Sequence, residues 1–308
     1  MMSERSAVLS CLLFMHFPLR HIALTFLIAT SAAANDTSLH EARWGPEPLG
    51  GPDGPESPVR MMHEELRVEF GKKTTDVEAR FTFRNLTAKP VTQIVGFPDL
   101  GAAENEQLRR DREKDPKADF EFVNSTGPLL RMKTLVNGKA HPSALRFGEI
   151  ALDKNQYPMP YRDRKGETTR LMAWHALEVS FPPGQDVTVE RHYRVKNGWQ
   201  IYNIAFFNYT TATGGVWRAT IGQLTADVIL QDGLKVDDLA WDDAALPKYQ
   251  RGGQVMVPAK RSDWQVISPT HVRLTWKDFE PRTDATRRGF TVARKAQWKP
   301  QPGHNEDE

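Results

Sequence analysis

Histidines and carboxylates are the usual material of a hydrolytic or metal centre, and here they are scattered. Beyond residue 34 the histidines are His40, His63, His141, His175, His192, His271 and His304. No two sit at i, i+4, and H-E-x-x-H is absent, so a metal site would need long-range assembly. His63-Glu64-Glu65 opens a strand, where neighbouring side chains point to opposite faces. Asp237-Asp238 and Asp242-Asp243 bracket Trp241, but the Asp-x-Asp-x-Asp-Gly calcium loop is missing and a solvated acidic loop is the plainer reading. There is no G-x-S-x-G elbow, no Walker loop and no G-x-G-x-x-G. No catalytic residue, metal ligand or cofactor is therefore expected. A carboxylate pair or His cluster brought together in space would be the route to a hydrolase.

Aromatic side chains offer the more pointed surface chemistry. Tyr157-Pro158-Met159-Pro160-Tyr161 is a loop stiffened by two prolines, which fix φ and remove two backbone donors. Its two tyrosines are the candidate ligand-binding residues, because a stiff loop loses little entropy on binding and tyrosine joins an apolar face to a hydroxyl. Arg162, Arg164 and Lys165 follow, so an acidic glycan or acidic protein surface would suit. The plainer role is sealing a junction between domains. Trp199, Tyr202, Phe206, Phe207, Tyr209 and Trp217 form a second group, whose ordinary place is a sandwich core.

The start of the chain bears on where this chemistry would operate. Residues 22–34, IALTFLIATSAAA, are apolar and close in small residues, with Arg20 and His21 before them. These are the parts of a secretory signal peptide, cleaved between Ala34 and Asn35. The run is too short for the roughly 20 residues of a membrane span. Met15 offers an alternative start that gives a leader of ordinary length. Cys11 precedes the apolar run, which excludes a lipoprotein anchor. Cleavage would remove the one Cys with Glu4, Arg5 and Arg20, leaving 274 residues with 39 basic and 38 acidic side chains and no disulfide. Asn35, Asn85, Asn124 and Asn208 lie in N-x-S/T sequons, which matter only in a eukaryotic pathway.

The remaining chain must position these groups, and it does so with strands. With 39% hydrophobic and 26% charged residues and a net charge of +2, it is neither collagenous nor globally disordered, and it lacks the charge for bulk nucleic-acid or membrane-surface binding. Residues 44–58 are rich in Pro and Gly and read as an extended linker or surface loop within a 35–62 segment. Leu66, Val68 and Phe70 alternate with charges, as do Val77, Ala79, Phe81 and Phe83. Val91–Phe97, Leu129–Val136 with an Asn137-Gly138 turn, Leu171–Phe181, Val187–Val195, Gln200–Tyr209, Val216–Ile221, Leu224–Leu230, Val272–Trp276 and Gly289–Arg294 continue in that style. Gly101–Lys117 reads as a solvated helix or loop. The fold expected is all-β, an antiparallel β-sandwich architecture: two sandwiches over 63–165 and 166–298 with a polar 299–308 tail, or one large sandwich.

Asn35-Asp36-Thr37-Ser38, Arg60-Met61-Met62-His63-Glu64-Glu65-Leu66, Phe83-Arg84-Asn85-Leu86-Thr87 and Val95-Gly96-Phe97-Pro98 are followed by Trp174 to Phe181-Pro182-Pro183-Gly184, His192-Tyr193-Arg194, and Tyr209 to Thr213-Gly214-Gly215-Val216-Trp217. In this order they resemble the exported bacterial domain family of unknown function called "DUF forty-four twenty-four", with its N-D-S, M-x-x-E-x-L, F-x-N and F-P-x-G stretches. The chain departs from that pattern at Gly96 and Asp99 and in the long Pro/Gly segment before Arg60. The resemblance implies an exported, β-rich protein and supplies no reaction. The expected function is a periplasmic or secreted, non-catalytic protein that binds or builds in the cell envelope, with an envelope protein or glycan as partner. A carbohydrate-binding protein with exposed aromatics and a hydrolase are the alternatives.

Overall fold

A computed structural model describes residues 32–34, 36–42, 45–48, 57–114, 128–152, 158–159, 169–200, 204–241, 261–281, 283–287 and 289–295. In chain order the strands are β1 (Ala32–Ala34), β2 (Thr37–Ala42), β3 (Gly45–Pro48), β4 (Val59–Phe70), β5 (Thr74–Asn85), β6 (Val91–Pro98), β7 (Leu130–Val136), β8 (Lys139–Ala140), β9 (Ala144–Leu152), β10 (Pro158–Met159), β11 (Thr169–Phe181), β12 (Asp186–Lys196), β13 (Gly198–Gln200), β14 (Ile204–Thr210), β15 (Ile221–Leu230), β16 (Trp264–Ser268), β17 (His271–Phe279) and β18 (Gly289–Ala293). Among the described residues there is one α-helix, α1 (Leu100–Lys114), after β6; it buries only Gly101, Ala102 and Ala103, as its charged composition requires.

The chain is all-β. Period-two alternation builds an eight-stranded sheet in the order β16-β17-β15-β4-β5-β12-β7-β8. All its pairs are antiparallel except β15 on β4. A six-stranded sheet runs β10-β9-β11-β6-β2-β3, and β3 curls back against β9 around Leu39, Met172, Trp174 and Ala176. β14 pairs with β1, β13 and β18 in a third sheet. The inner face of the large sheet packs against both smaller ones. Phe81 meets Phe97 and Phe83 meets Phe181 on one side, while Trp264 meets Phe290 on the other. One continuous core results.

Strands from both sides of residue 165 share these sheets. β5 pairs with β12 from Asp186↔Arg84 to Lys196↔Thr74, and β6 pairs with β11. The chain therefore does not divide into sandwiches over 63–165 and 166–298; the long-range pairing makes a single layered body. The Pro-rich stretch contributes β3 at a sheet edge, where proline's missing donor costs nothing. Asn137 and Gly138 take φ of 49° and 74° in the β7–β8 hairpin turn, as their pairing in the sequence foretold. Val216–Ile221 is not a strand. Ala212–Val216 forms a 3-10 turn, Trp217 drops into the core, and β15 starts only at Ile221.

Candidate functional site

Between the sheets lies a polar cluster that alternation itself drives inward. β12 alternates Val187, Val189, Arg191, Tyr193 and Val195 onto the core face, so Arg191 is fully buried. In β4 the register slips between Met61 and His63, and beyond this bulge Glu64 shares the inner face with Leu66, Val68 and Phe70. The bulge needs Gly222 opposite, where a Cβ would lie 2.4 Å from the Met62 carbonyl oxygen. Asp36 comes from the residues just before β2 and is also fully buried.

Arg191 binds Asp36 through Nε, 3.1 and 3.3 Å from the two carboxylate oxygens. Its Nη2 lies 2.9 Å from Oδ1 but off the line of a hydrogen bond, so there the attraction is purely ionic. Nη1 donates to Thr134 Oγ1 at 2.8 Å, and the guanidinium stands 5.9 Å from the Phe97 ring centre. Trp217 Nε1 donates to the Asp36 carbonyl at 2.9 Å. Tyr209 donates its hydroxyl to Glu64 Oε1 at 2.7 Å. The buried Tyr193 hydroxyl has no hydrogen-bond partner among the described residues. Burial pushes the Asp36 carboxyl up from its ordinary pKa, with the Arg191 charge and hydrogen bond pulling back. Burial also lifts Tyr193 and Tyr209 well above the usual phenol, with Glu64's charge adding to it. With no atom of Asp36, Glu64 or Arg191 open to solvent, the cluster cannot meet a substrate. It ties the start of β2 to the large sheet.

A second constellation sits near the surface. Asp99 lies between β6 and α1 and caps the helix, its Oδ1 accepting from the Ala102 amide at 2.9 Å. Oδ2 accepts from the Leu129 amide at 3.0 Å and lies 3.1 Å from His175 Nε2. The His175 side chain is 14% exposed and the Asp99 side chain 2%. An imidazole oriented by a carboxylate is the base half of a nucleophilic triad. Among the described residues no hydroxyl is hydrogen-bonded to His175.

The outer face of the large sheet is a chequerboard of charge. One row crosses His192, Glu78, Arg67, Asp227 and Arg273 on five neighbouring strands; the next crosses Glu190, Arg80 and Glu65. Arg273 Nε bonds Asp227 at 2.8 Å, Arg194 bonds Asp76 at 2.7 Å, and Arg84 bonds Asp186 at 2.6 Å. Burial pushes the Asp227 carboxyl up, but hydrogen bonds from Arg273 and His271 outweigh it and hold it below its ordinary value. The Asp186 carboxyl is held down chiefly by its hydrogen bond from Arg84.

Of the binding loop, Pro158–Met159 forms the edge strand β10, while Tyr157 and Tyr161 lie outside the described residues. Ala34 ends β1, and Asn35 lies outside the described residues. Phe206, Phe207, Tyr209 and Trp217 are core residues. Asp237 and Asp238 form a short 3-10 turn; Asp242 and Asp243 lie outside the described residues. Among the described residues no three His, Cys, Asp or Glu groups gather as metal ligands. Arg191 and Glu64 escaped the sequence reading, although the signal was there: each continues an apolar period-two series.

No family model matches the chain, and no curated protein matches it. Among solved structures, a candidate nutrient-binding protein from Legionella pneumophila aligns at TM-score 0.54 and 15% identity, over 86% of this chain and 71% of that one. That likeness is one of fold. An M1 zinc metallopeptidase from Deinococcus radiodurans aligns at TM-score 0.29 and 9% identity, over 72% of this chain and 39% of that one. Legionella pneumophila aminopeptidase A aligns at TM-score 0.26 and 10% identity, over 79% and 22%. The two peptidase likenesses are too slight to carry an argument.

Proposed function

We propose that this chain is an exported bacterial protein, periplasmic or secreted, that serves the cell envelope by binding or as a structural part rather than by catalysis. What supports this most is the burial of Asp36 on Arg191, two residues beyond the small-residue end of the apolar leader. The folded body thus takes hold of the chain where a cleaved leader would release it. The resemblance to the "DUF forty-four twenty-four" family points to the same compartment. The Legionella protein of shared fold is described as a candidate nutrient-binding protein, which puts a nutrient beside an envelope protein or glycan as ligand class. Among the described residues no helix is long and apolar enough to cross a membrane.

Fractionation of cells expressing the full chain tests the reading. The expected product lies outside the cytoplasm with an intact mass that begins at Asn35. Product retained in the membrane fraction with residues 22–34 attached would overturn it. The ligand class is tested by Tyr157→Ala with Tyr161→Ala. Loss of envelope or glycan capture at unchanged melting temperature supports a binding loop, and a large fall in melting temperature with capture intact assigns the loop to packing. The hydrolase reading rests on the oriented Asp99–His175 pair, and needs His175→Ala to abolish a measured hydrolysis.

A further inference from the structure

We propose that β16 is a docking edge for a second copy of this chain, the two strands lying antiparallel across a two-fold axis at Val266. β16 closes one side of the eight-stranded sheet, and β17 is its one strand partner among the described residues. The other edges of the two larger sheets are blunted. β8 has two residues and opens with Lys139, β10 has two and opens with Pro158, and β3 reads Gly-Pro-Glu-Pro. β16 has five residues, Trp264-Gln265-Val266-Ile267-Ser268, with neither proline nor charge. Val266 and Ile267 are each 43% exposed, side by side on that edge. An open strand of this kind is a template for further pairing.

The edge suits its own copy better than a charged partner. Pro269 lacks an amide hydrogen and ends the ladder, which confines the pairing to residues 264–268. An axis at Val266 sets Val266 opposite the partner's Val266, Gln265 opposite the partner's Ile267 and Trp264 opposite the partner's Ser268, so the exposed aliphatics cover one another. No like charges meet. The two Asp263 side chains stand about 20 Å apart along the seam, beyond the screening length of about 8 Å. Arg273, beside Gln265 on β17, is already bonded to Asp227. The seam therefore gives an ionic peptide or a polyanion no charge to hold. Pairing closes at two copies and uses up the open edge of both. Ile267 falls at a bulge, which adds twist and keeps the contact short. So short a ladder buries far less than the roughly 800 Å² per partner of a standard interface, and association is weak and concentration-dependent.

Sedimentation of the protein recovered from cells expressing the full chain, over about 1 to 200 μM, tests this. The average mass should climb with concentration from one copy toward two. Val266→Lys and Val266→Glu each put like charges on the axis, and each should stay monomeric at the highest concentration with its melting temperature unchanged. Mixed in equal amounts, they set Lys against Glu and should restore the dimer. Val266→Cys in a Cys11→Ser background is a gentler probe. Under oxidised glutathione it should link two copies at least about 10-fold faster than Leu86→Cys, which is as exposed but lies in the turn after β5. A wild type that stays monomeric throughout would overturn the proposal. So would charged variants that dimerise as wild type does, a mixture no heavier than its parts, or linking at 266 no faster than at 86. If a charged variant loses its melting transition, the two cysteine variants decide.

Discussion

Arg191 and Asp36 show how a residue can be indispensable without touching a ligand. Removing one buried partner strands the other, whereas replacing both by apolar groups of similar size removes two desolvation costs at once. Asp36→Asn should cost about 3–5 kcal/mol in urea denaturation. The double change Asp36→Leu with Arg191→Met should recover most of that. A double variant as unstable as the single one would mean that the cluster is held by shape rather than charge. The pH sense also follows. The folded Asp36 carboxyl keeps its proton more tightly than the unfolded one, whose pKa is 3.8. Its own titration thus favours the fold below that value and withdraws the benefit as pH rises toward the folded pKa. Glu106 behaves in the opposite sense. Hydrogen bonds from Arg109 and Arg110 hold it at about 2 against an ordinary 4.5, so its support of α1 is present above pH 4.5 and lost as pH falls through 2. Protection of the α1 amides, taken relative to their intrinsic exchange rates, should fall across that window.

At the scale of the element, alternation told most of the story. Phe81 faces the core with no exposed surface and Arg80 faces water. Phe81→Ala should cost about 3–5 kcal/mol and Arg80→Ala little; equal losses would contradict the face assignment. The strands over 66–70, 77–83, 187–195 and 272–276 were legible because one face is wet. β2, β9 and β16 were not. β2 buries the polar Thr37 and Ser38, and β16 alternates poorly because Gln265, Val266 and Ile267 are all exposed. The β4 bulge is invisible to a strict period, yet it sets the register that seats Met61 and Glu64 on one face. Gly222→Ala should push the Met62 carbonyl away and cost about 1–3 kcal/mol, as overpacking does. A near-UV change at Tyr209, which holds Glu64, should accompany it.

For the whole molecule, the large sheet draws β4 and β5 from before residue 165 and β12, β15, β16 and β17 from after it. Sequence patterns give strands but not their partners, which is why a division near 160–166 looked natural and the candidate cluster stayed hidden. Its members Asp36, Glu64, Thr134, Arg191 and Tyr209 are assembled only by that long-range pairing. Fragments 57–165 and 166–295 should each lack cooperative thermal unfolding when expressed alone. A cooperative transition in either would contradict a single core.

The chequerboard on the outer face has an electrical consequence. Charges of opposite sign alternate across strands about 4.8 Å apart, closer than the screening length of about 8 Å at physiological salt. Their fields cancel within a few ångströms of the surface. To an approaching membrane, polyanion or ion-exchange resin, a face crowded with ionised groups looks nearly neutral. Only a body pressed against it, with its own charges spaced to match, would sense the pattern at all.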